Sequence, residues 1–202
     1  MTSPISENMA LREAFLGGMS HAACTVNIVT TDGVLGRAGV TVSAMTSVSA
    51  DTPKPTLLVC VHREASATPY ILENRVFCVN LLRDDQSFIS DTFAGRFSAE
   101  NLEKFDCADW VPMETGAPRV VDPLVAFDCK VISSELIGTH HVLVGEVQDI
   151  FTAKRGSPLI YANRAYGRTM RIDPVTSLVT SQSDAVLRIG CFHTFGPFML
   201  PE

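Results

Sequence analysis

The sequence predicts a mainly β protein with inserted helices, built around an antiparallel barrel. Six or more runs rich in β-branched residues follow one another along the chain, and most of them are joined by tight turns. Helical patterns interrupt the strands only twice, so strands and helices do not alternate as βαβ units would require. The 202 residues, 46% of them hydrophobic, suffice for one domain with a buried core.

The N-terminal quarter predicts one helix followed by a hairpin. Apolar residues recur roughly on one face from Ser6 to about Met19, which favours an amphipathic helix. In the segment 24–49, β-branched residues dominate on both sides of a glycine-containing turn at 33–36. This pattern indicates two antiparallel strands.

Two further strands with a short helix between them are expected next. "TLLVCVH" at 56–62 and "VFCVNLL" at 76–82 have the apolar, β-branched composition of buried strands. The helix between them is predicted from Ser66 to Asn74, with Ser66 as its N-cap and Pro69 in its first turn.

The second half continues the same architecture. A helix over 84–95 should end at Gly95. The runs 126–138 and 140–153 are separated by a very short turn, which predicts a second hairpin, and a shorter strand is expected at 159–161.

Composition excludes several classes of partner. The net charge of −6 and the absence of a basic run argue against nucleic acid. No apolar run approaches the roughly 20 residues that span a bilayer, and no signal peptide is recognisable, so we expect a cytoplasmic protein without a membrane partner. The six cysteines form no C-x-x-C pair and are expected to be reduced thiols. We expect one domain over 1–172 and a C-terminal extension over 173–202.

The residues themselves leave the chemistry open. Neither glycine-rich nucleotide signature occurs, so a phosphate-bearing ligand would have to be held by hydroxyls and backbone N–H groups such as those of 41–49 and 63–68. Those groups equally suit the polar faces of strands and a helix cap. His140 and His141 should point to opposite faces of a strand, so no metal site is predicted. "FAGRF" at 93–97 could line a planar ligand or simply end a helix.

The order of the motifs "TVNIVTTDG", "GVTVSAMTSVSADTP", "LLVCVHREASAT", "FCVNLL", "DTFAGRF", "GTHHVLVGEV" and "PLIYANRAYG" resembles the flavin reductase family from about Leu11 to Gly167. The resemblance implies a six-stranded antiparallel split β-barrel of Greek-key type that binds FMN or FAD. It further implies NADH or NADPH as the hydride donor.

The resemblance also implies roles for individual residues. His140 would be the catalytic residue, orienting the nicotinamide. The flavin ring and ribityl chain would be contacted by Thr41, Val42, Ser43, Ala44, Thr46, Ser47 and Ser49, and the phosphate side by Arg63, Ser66 and Thr68. Phe93 and Gly95 would form the helix end that closes over the flavin. Arg164 and Tyr166 would line the nicotinamide pocket. Two positions depart from the family, since Thr139 stands where Asp is frequent and His62 where Asn is common.

The family resemblance suggests partners and rivals as well. A homodimer is implied, in which each barrel helps to complete its partner's site, together with a separate monooxygenase that receives reduced flavin and acts on an aromatic compound. A flavin-retaining electron carrier or sensor, or a flavoprotein that reduces another acceptor such as a corrinoid, is the alternative. We expect the apolar C-terminal extension, which carries Phe192, Phe195, Phe198, Met199 and Leu200, to pack on the dimer partner or near the nicotinamide cleft.

Overall fold

The computed structural model describes residues 4–97 and 103–172. Within these ranges the helices are α1 (Pro4–Ser20), α2 (Thr68–Asn74) and α3 (Ser87–Phe93), with a 3-10 turn at Lys104–Cys107. The strands are β1 (Cys24–Thr25), β2 (Asn27–Thr31), β3 (Ala38–Val42), β4 (Met45–Ser49), β5 (Thr56–His62), β6 (Val76–Leu81), β7 (Trp110–Pro112), β8 (Pro118–Val120), β9 (Val125–Ile137), β10 (His140–Thr152), β11 (Leu159–Ala162) and β12 (Ala165–Arg168). The C-terminal extension lies outside the described residues, and its packing stays a prediction.

The main sheet must curl into a barrel because its two edge strands are neighbours in the chain. Its order is β3-β2-β6-β9-β10-β5-β4, with every pair antiparallel. A flat sheet of this order would separate the edges by six strand spacings, or about 29 Å. Only Ser43 and Ala44 link β3 to β4, and three Cα–Cα steps reach at most about 11 Å. The predicted antiparallel, mainly β architecture with inserted helices is confirmed.

The number of strands differs from the prediction, since the main sheet has seven strands instead of six. The difference arises at Ser43 and Ala44, where the predicted second half of the first hairpin bends into two strands. The first part, β3, pairs with β2, whereas the second part, β4, pairs with β5. A three-stranded sheet of order β1-β11-β12 and the hairpin β7-β8 complete the fold.

The barrel interior is filled by alternate residues of its strands. Along β5 every second side chain is buried, which places Leu57, Val59 and Val61 inside the barrel. They pack in one cluster with Leu143 of the adjacent strand β10 and with Phe77 of β6. A second cluster lies between the barrel and α3 and contains Ile28, Leu82, Ile89, Phe93, Val120 and Leu159.

Most predicted elements have the expected type and place. The helix at the N-terminus, the hairpin β2-β3, the strands β5 and β6, and the hairpin β9-β10 are confirmed. Gly138 takes a φ of 60° at the tip of β9-β10, and Gly95 takes a φ of 72° after α3, a region that glycine enters without a Cβ penalty.

The predicted helix cap at Ser66 is wrong. Helix α2 begins at Thr68, its N-cap is Ala67 in the right-handed helical region, and no side chain caps it. The chain enters the helix through a tight turn in which the Thr68 N–H donates to the carbonyl of Ala65 at 2.9 Å. The turn therefore supplies the backbone hydrogen bond that a side-chain cap would supply, while Pro69 occupies the first turn as predicted.

Helix α1 is present, but most of its apolar side chains are not buried against the part of the chain that the structure describes. Leu11 is 72% exposed and Phe15 63%, and Met9, Leu16 and Met19 are also exposed. No helix among the described residues is long and apolar enough to cross a membrane. Contiguous exposed apolar surface of this kind commonly marks a place of contact with another molecule.

One buried carboxylate helps to fix the hairpin β7-β8 to the barrel, beside the hydrogen bond from the Val120 N–H to Asn80 at 2.8 Å. Asp128 on β9 is fully buried and accepts the Thr115 N–H at 2.7 Å and the Thr115 hydroxyl at 2.6 Å. Burial raises the pKa of Asp128, and the two hydrogen bonds from Thr115 offset part of that increase. The charged form is therefore less favourable in the folded protein than in the unfolded chain.

We predict that Asp128→Asn is at least as stable as the parent protein at pH 7. Asparagine can accept the Thr115 N–H and donate to its hydroxyl, and it carries no buried charge. A carboxyl with a raised folded pKa contributes stability below its unfolded pKa of about 3.9, and that contribution is lost as the pH rises through the folded pKa. The advantage of the variant in urea unfolding should therefore be present at pH 7 and disappear towards pH 3.

Thr115→Val is the matched variant for this prediction. It removes the hydroxyl donor and leaves the carboxylate, so the free energy of unfolding should fall by about 1–3 kcal/mol at pH 7. An Asp128→Asn protein that is markedly less stable than the parent at pH 7 would contradict the assignment.

Candidate active site

A cleft of about 210 Å³ lies where the end of β3 meets α3 and the hairpin β11-β12. We call it the tyrosine cleft, and it is lined by Val26, Thr41, Val42, Ser43, Ser90, Ala94, Arg96, Tyr161 and Tyr166. Its position follows from the barrel closure, because β3 ends at the bend that carries the chain to the opposite edge of the sheet. The lining combines two aromatic rings with hydroxyls and one guanidinium.

The walls of the tyrosine cleft are held together by hydrogen bonds to α3. The Thr41 hydroxyl donates to the Ser90 carbonyl at 2.7 Å. The Tyr166 hydroxyl lies 2.7 Å from a carboxylate oxygen of Asp91, which also accepts from Arg96 at 2.9 Å. Burial raises the pKa of Tyr166, so the phenol stays protonated at neutral pH and donates to Asp91.

A neighbouring cleft of about 340 Å³ shares Ser43 and Tyr161 with the tyrosine cleft and extends to the end of α1. Arg164 lines it, on the two-residue turn between β11 and β12. Asn163 and Arg164 have φ values of 50° and 61°, as a type I′ turn requires. The turn therefore fixes the backbone that presents the Arg164 side chain.

A further cleft of about 160 Å³ lies at the other end of β3. We call it the cation cleft, and it is lined by Arg37, Ala38, Gly39, Ser66, Tyr70, Glu103, Lys104 and Phe105. The Arg37 guanidinium lies 4.4 Å from the centre of the Phe105 ring, and the Lys104 ammonium donates to the Phe93 carbonyl at 3.3 Å. The lining therefore carries two cations, the hydroxyls of Ser66 and Tyr70, and a single carboxylate. This excess of positive charge favours an anionic ligand.

Strand β3 joins the two clefts, and α3 covers it between them. Phe93 is 1% exposed, and a Cβ on Gly39 would approach its ring to 2.5 Å. Glycine at position 39 is thus needed for the close contact of α3 with β3. Phe93 belongs to the core. It packs beneath the strand that joins the two clefts and does not line either of them.

His140 lies at the rim formed by the ends of β5 and β10. It pairs directly with His62 across these strands, and the two rings meet edge to face with their centres 4.9 Å apart. The Thr139 hydroxyl lies 3.0 Å from Nδ1 of His140. Among the described residues, no hydrogen-bond partner is found for the other ring nitrogen, Nε2.

The structure brings together only part of the predicted site. Thr41, Val42, Ser43 and Tyr166 line the tyrosine cleft, Arg164 lines the cleft beside it, and Ser66 lines the cation cleft. The remaining predicted residues lie outside the linings of these clefts, and they are Ala44, Thr46, Ser47, Ser49, Arg63, Thr68, Phe93, Gly95 and His140. Thr46 and Ser47 are exposed on β4, and Ser49 donates to Asp51 at 3.0 Å.

Several lining residues were not predicted from the sequence. Ser90, Arg96 and Tyr161 belong to the tyrosine cleft, and Arg37 and Lys104 supply the cations of the other cleft. Their spacing in the chain carries no motif, because tertiary contacts alone bring them together. Arg96 lies in the "FAGRF" segment, directly after the glycine that ends the helix. That position was the one sequence signal for any of these lining residues.

No group of three or more His, Cys, Asp or Glu side chains that could hold a metal ion occurs in the described ranges. The five cysteines in those ranges, Cys24, Cys60, Cys78, Cys107 and Cys129, are free thiols. Burial raises the pKa of Cys78 and Cys129, which keeps both protonated and unreactive.

A family model, curated relatives and solved structures point to one family. A family model described as a flavin reductase like domain matches residues 19–170. The FMN reductase (NADH) RutF of Pantoea ananatis is 41% identical over 170 residues, which cover 83% of this chain and 87% of that protein. The flavin reductase PheA2 in its native state aligns with a TM-score of 0.70 at 26% identity, over 79% of this chain and 98% of its own. BorF, the flavin reductase component of a bacterial two-component tryptophan halogenase, aligns with a TM-score of 0.69 at 28% identity, over 78% of this chain and 97% of its own.

Substitution of Thr68 tests whether its side chain has a structural role or a binding role at this site. It is 4% exposed, and its hydroxyl donates to the His62 carbonyl at 2.7 Å. We predict that Thr68→Val lowers the free energy of unfolding by about 1 kcal/mol, because the half-buried His62 carbonyl loses one of its two donors and keeps only the Ala65 N–H. The exposed Thr92 hydroxyl donates to the Phe88 carbonyl at 2.8 Å, so Thr92→Val is the control and should cost less than about 0.5 kcal/mol. Equal losses in the two variants, measured by urea unfolding, would contradict this role.

Proposed function

The chain belongs to the flavin reductase family, and on that premise we propose that it is an NADH-dependent flavin reductase. The observation that carries the proposal is the pair of clefts joined along β3, one with aromatic and hydroxyl groups and the other with two cations. The extended chain from Gly39 to Ser43, just after the end of β3, spans about 13 Å. The two clefts together suit an elongated molecule that places a planar ring system in the tyrosine cleft and a phosphate in the cation cleft.

Flavin and nicotinamide supply the redox chemistry, in which a hydride passes from the dihydronicotinamide to the flavin ring. The protein needs no strong acid or base for this transfer, and its task is to hold the two rings together and exclude water. We assign the flavin ring to the tyrosine cleft, with Thr41, Val42, Ser43 and Ala44 beside it. The phosphate side is assigned to the cation cleft, with Ser66 as the one predicted residue that lines it.

The remaining predicted residues keep their proposed parts in the site. His140 orients the nicotinamide from the rim, and Arg164 and Tyr166 line its pocket. Thr46, Ser47 and Arg63 are exposed and Ser49 is half-buried at the edges of the barrel, and all four are proposed to contact the flavin or the nucleotide. Thr68, Phe93 and Gly95 support the site through the backbone of β5 and α3.

The names of the relatives favour free FMN and NADH as the substrates. The curated relative from Pantoea ananatis is named an FMN reductase that uses NADH. The cation cleft is consistent with a phosphate at the end of the flavin side chain. FAD and NADPH are compatible alternatives, since either carries further phosphates.

The consumer of the reduced flavin is proposed to be a separate monooxygenase that acts on an aromatic compound. Support comes from BorF, which is the reductase component of a two-component enzyme named for an aromatic amino acid. A cytoplasmic homodimer completes the proposal. The exposed apolar residues of α1, with Leu136 and Ile137 on the hairpin β9-β10, provide surface that a second copy could cover.

A flavin-retaining carrier or sensor is the second candidate. It is favoured by the hydrogen-bonded walls of the tyrosine cleft, which could hold a ring tightly. Gel filtration separates the two cases, because a carrier keeps a stoichiometric yellow cofactor whereas a reductase exchanges it. A protein that keeps its flavin but reduces a corrinoid would be recognised by adding that acceptor.

The proposal is tested by following NADH oxidation at 340 nm with purified protein, with and without added FMN. Rapid oxidation that depends on free FMN is expected, and His140→Ala should reduce kcat/KM for NADH by about tenfold, the loss expected when one orienting contact is removed. FAD, riboflavin and NADPH are compared in the same assay. Absence of flavin-dependent oxidation with either nucleotide would refute the reductase.

Arg37→Ala tests the phosphate assignment. Loss of a charged partner should raise KM for FMN by about tenfold at low salt, leave KM for riboflavin unchanged, and matter less as salt increases. Lys154→Ala is the control, because Lys154 is an exposed cation in a different surface cleft with Arg83 and Asp122. Equal increases for FMN and riboflavin would show that Arg37 acts by packing on Phe105 and not through a phosphate.

A further inference from the structure

His62 occupies a position from which it can determine where the His140 ring points. The two residues form the last pair of the β5-β10 ladder. Directly opposed residues of antiparallel strands project to the same face with their Cβ atoms about 5 Å apart. The ring centres are 4.9 Å apart and the planes meet at 87°, which is the edge-to-face arrangement that aromatic rings prefer.

The backbone of His62 is held rigidly. Its carbonyl accepts the Ala65 N–H at 2.9 Å and the buried hydroxyl of Thr68 at 2.7 Å. Its own ring is fixed as well, since Nδ1 accepts the Glu64 N–H at 3.1 Å. Because Nδ1 accepts a hydrogen bond, the neutral ring carries its hydrogen on Nε2. His62 is thus half-buried and anchored at both its backbone and its side chain.

His140, in contrast, is an exposed side chain on a hairpin end. The hairpin tip is tied to the end of β5 by the Arg63 N–H, which donates to the Thr139 carbonyl at 2.9 Å. The described contacts of the His140 ring are the Thr139 hydroxyl, 3.0 Å from Nδ1, and the face or edge of His62. The hydroxyl constrains one atom, so the orientation of the ring plane depends on His62.

We propose that His62 is a positioning residue that holds the His140 ring in the orientation used towards the nicotinamide. The inference rests on the proposed function and adds to it a residue that acts through another residue without touching the substrate. The ring of His62 carries this role, and its Nδ1 has a separate role in the turn 62–65. Substitutions can separate the two roles.

Three variants divide ring contact from turn formation. His62→Ala removes both. His62→Phe keeps a ring of similar shape but cannot accept the Glu64 N–H, whereas His62→Asn keeps a side-chain acceptor and lacks a ring. If the ring positions His140, His62→Phe retains function and His62→Asn resembles His62→Ala. If His62 only forms the turn, the order is reversed.

The kinetic test measures kcat and KM for NADH in these variants with FMN as acceptor. His62→Ala should lower kcat/KM for NADH about two- to tenfold, the size expected for loss of one aromatic pair, and leave KM for FMN unchanged. In the His140→Ala background, the same substitution should have no further effect, because nothing remains for it to position. Independent, additive losses in the double variant would overturn the proposal.

The second test does not depend on turnover. In protein labelled at histidine, the ring-proton resonances of His140 should be displaced by the neighbouring ring, shift in His62→Ala and His62→Asn, and stay close to their original positions in His62→Phe. Unchanged His140 resonances in His62→Ala would overturn the proposal, and so would altered resonances with unchanged kcat/KM for NADH. Failure of the parent protein to reduce flavin would instead refute the proposed function, and the resonances would then still decide whether His62 positions His140.

Discussion

The bend at Ser43 and Ala44 is the constraint on which the rest of the structure depends. Two residues carry the chain from one edge of a seven-stranded sheet to the other, which only a closed sheet allows. The Cys60 N–H donates to the Ala44 carbonyl at 3.1 Å, so the new edge strand starts to pair as soon as the bend ends. The bent segment brings the two edge strands, β3 and β4, close together without a hydrogen-bonded ladder between them, so the barrel is closed by the chain and stays split at this seam.

The same bend explains why the functional groups gather where they do. Strand β3 ends there, so the hydroxyls of Thr41 and Ser43 meet α3 and Tyr166 at the mouth of the barrel. The far end of β5 also lies beside the bend, and it carries His62 opposite His140. Residues that are as far apart in the chain as Val26 and Tyr166 thereby line one cleft.

The sequence was informative where a property is local. β-branched alternation identified β2, β3, β5, β6, β9 and β10, and glycines marked the turn at Gly138 and the end of α3. Strands β7, β8 and β12 escaped prediction because three or four residues carry no readable period, whereas the equally short β11 was marked by the turn residues before it. Ser66 shows the limit of local preference, since a turn replaced the cap that its hydroxyl suggested. Arg37 and Lys104 meet only through tertiary contacts, and the register that sets His62 against His140 cannot be read from either strand alone.

The cation cleft differs from the tyrosine cleft in where its polar groups originate. Arg37 precedes β3, Ser66 lies in the turn before α2, and Lys104 begins a 3-10 turn, so all three stand outside the hydrogen-bonded ladders of the barrel. Thr41 and Tyr166 are members of strands and are tied to α3. Mutational drift can therefore exchange the groups that meet the tail of a ligand without disturbing the architecture beneath its ring system. Because the two sets of groups lie on different parts of the fold, one scaffold can diverge in ligand preference while its reaction stays the same.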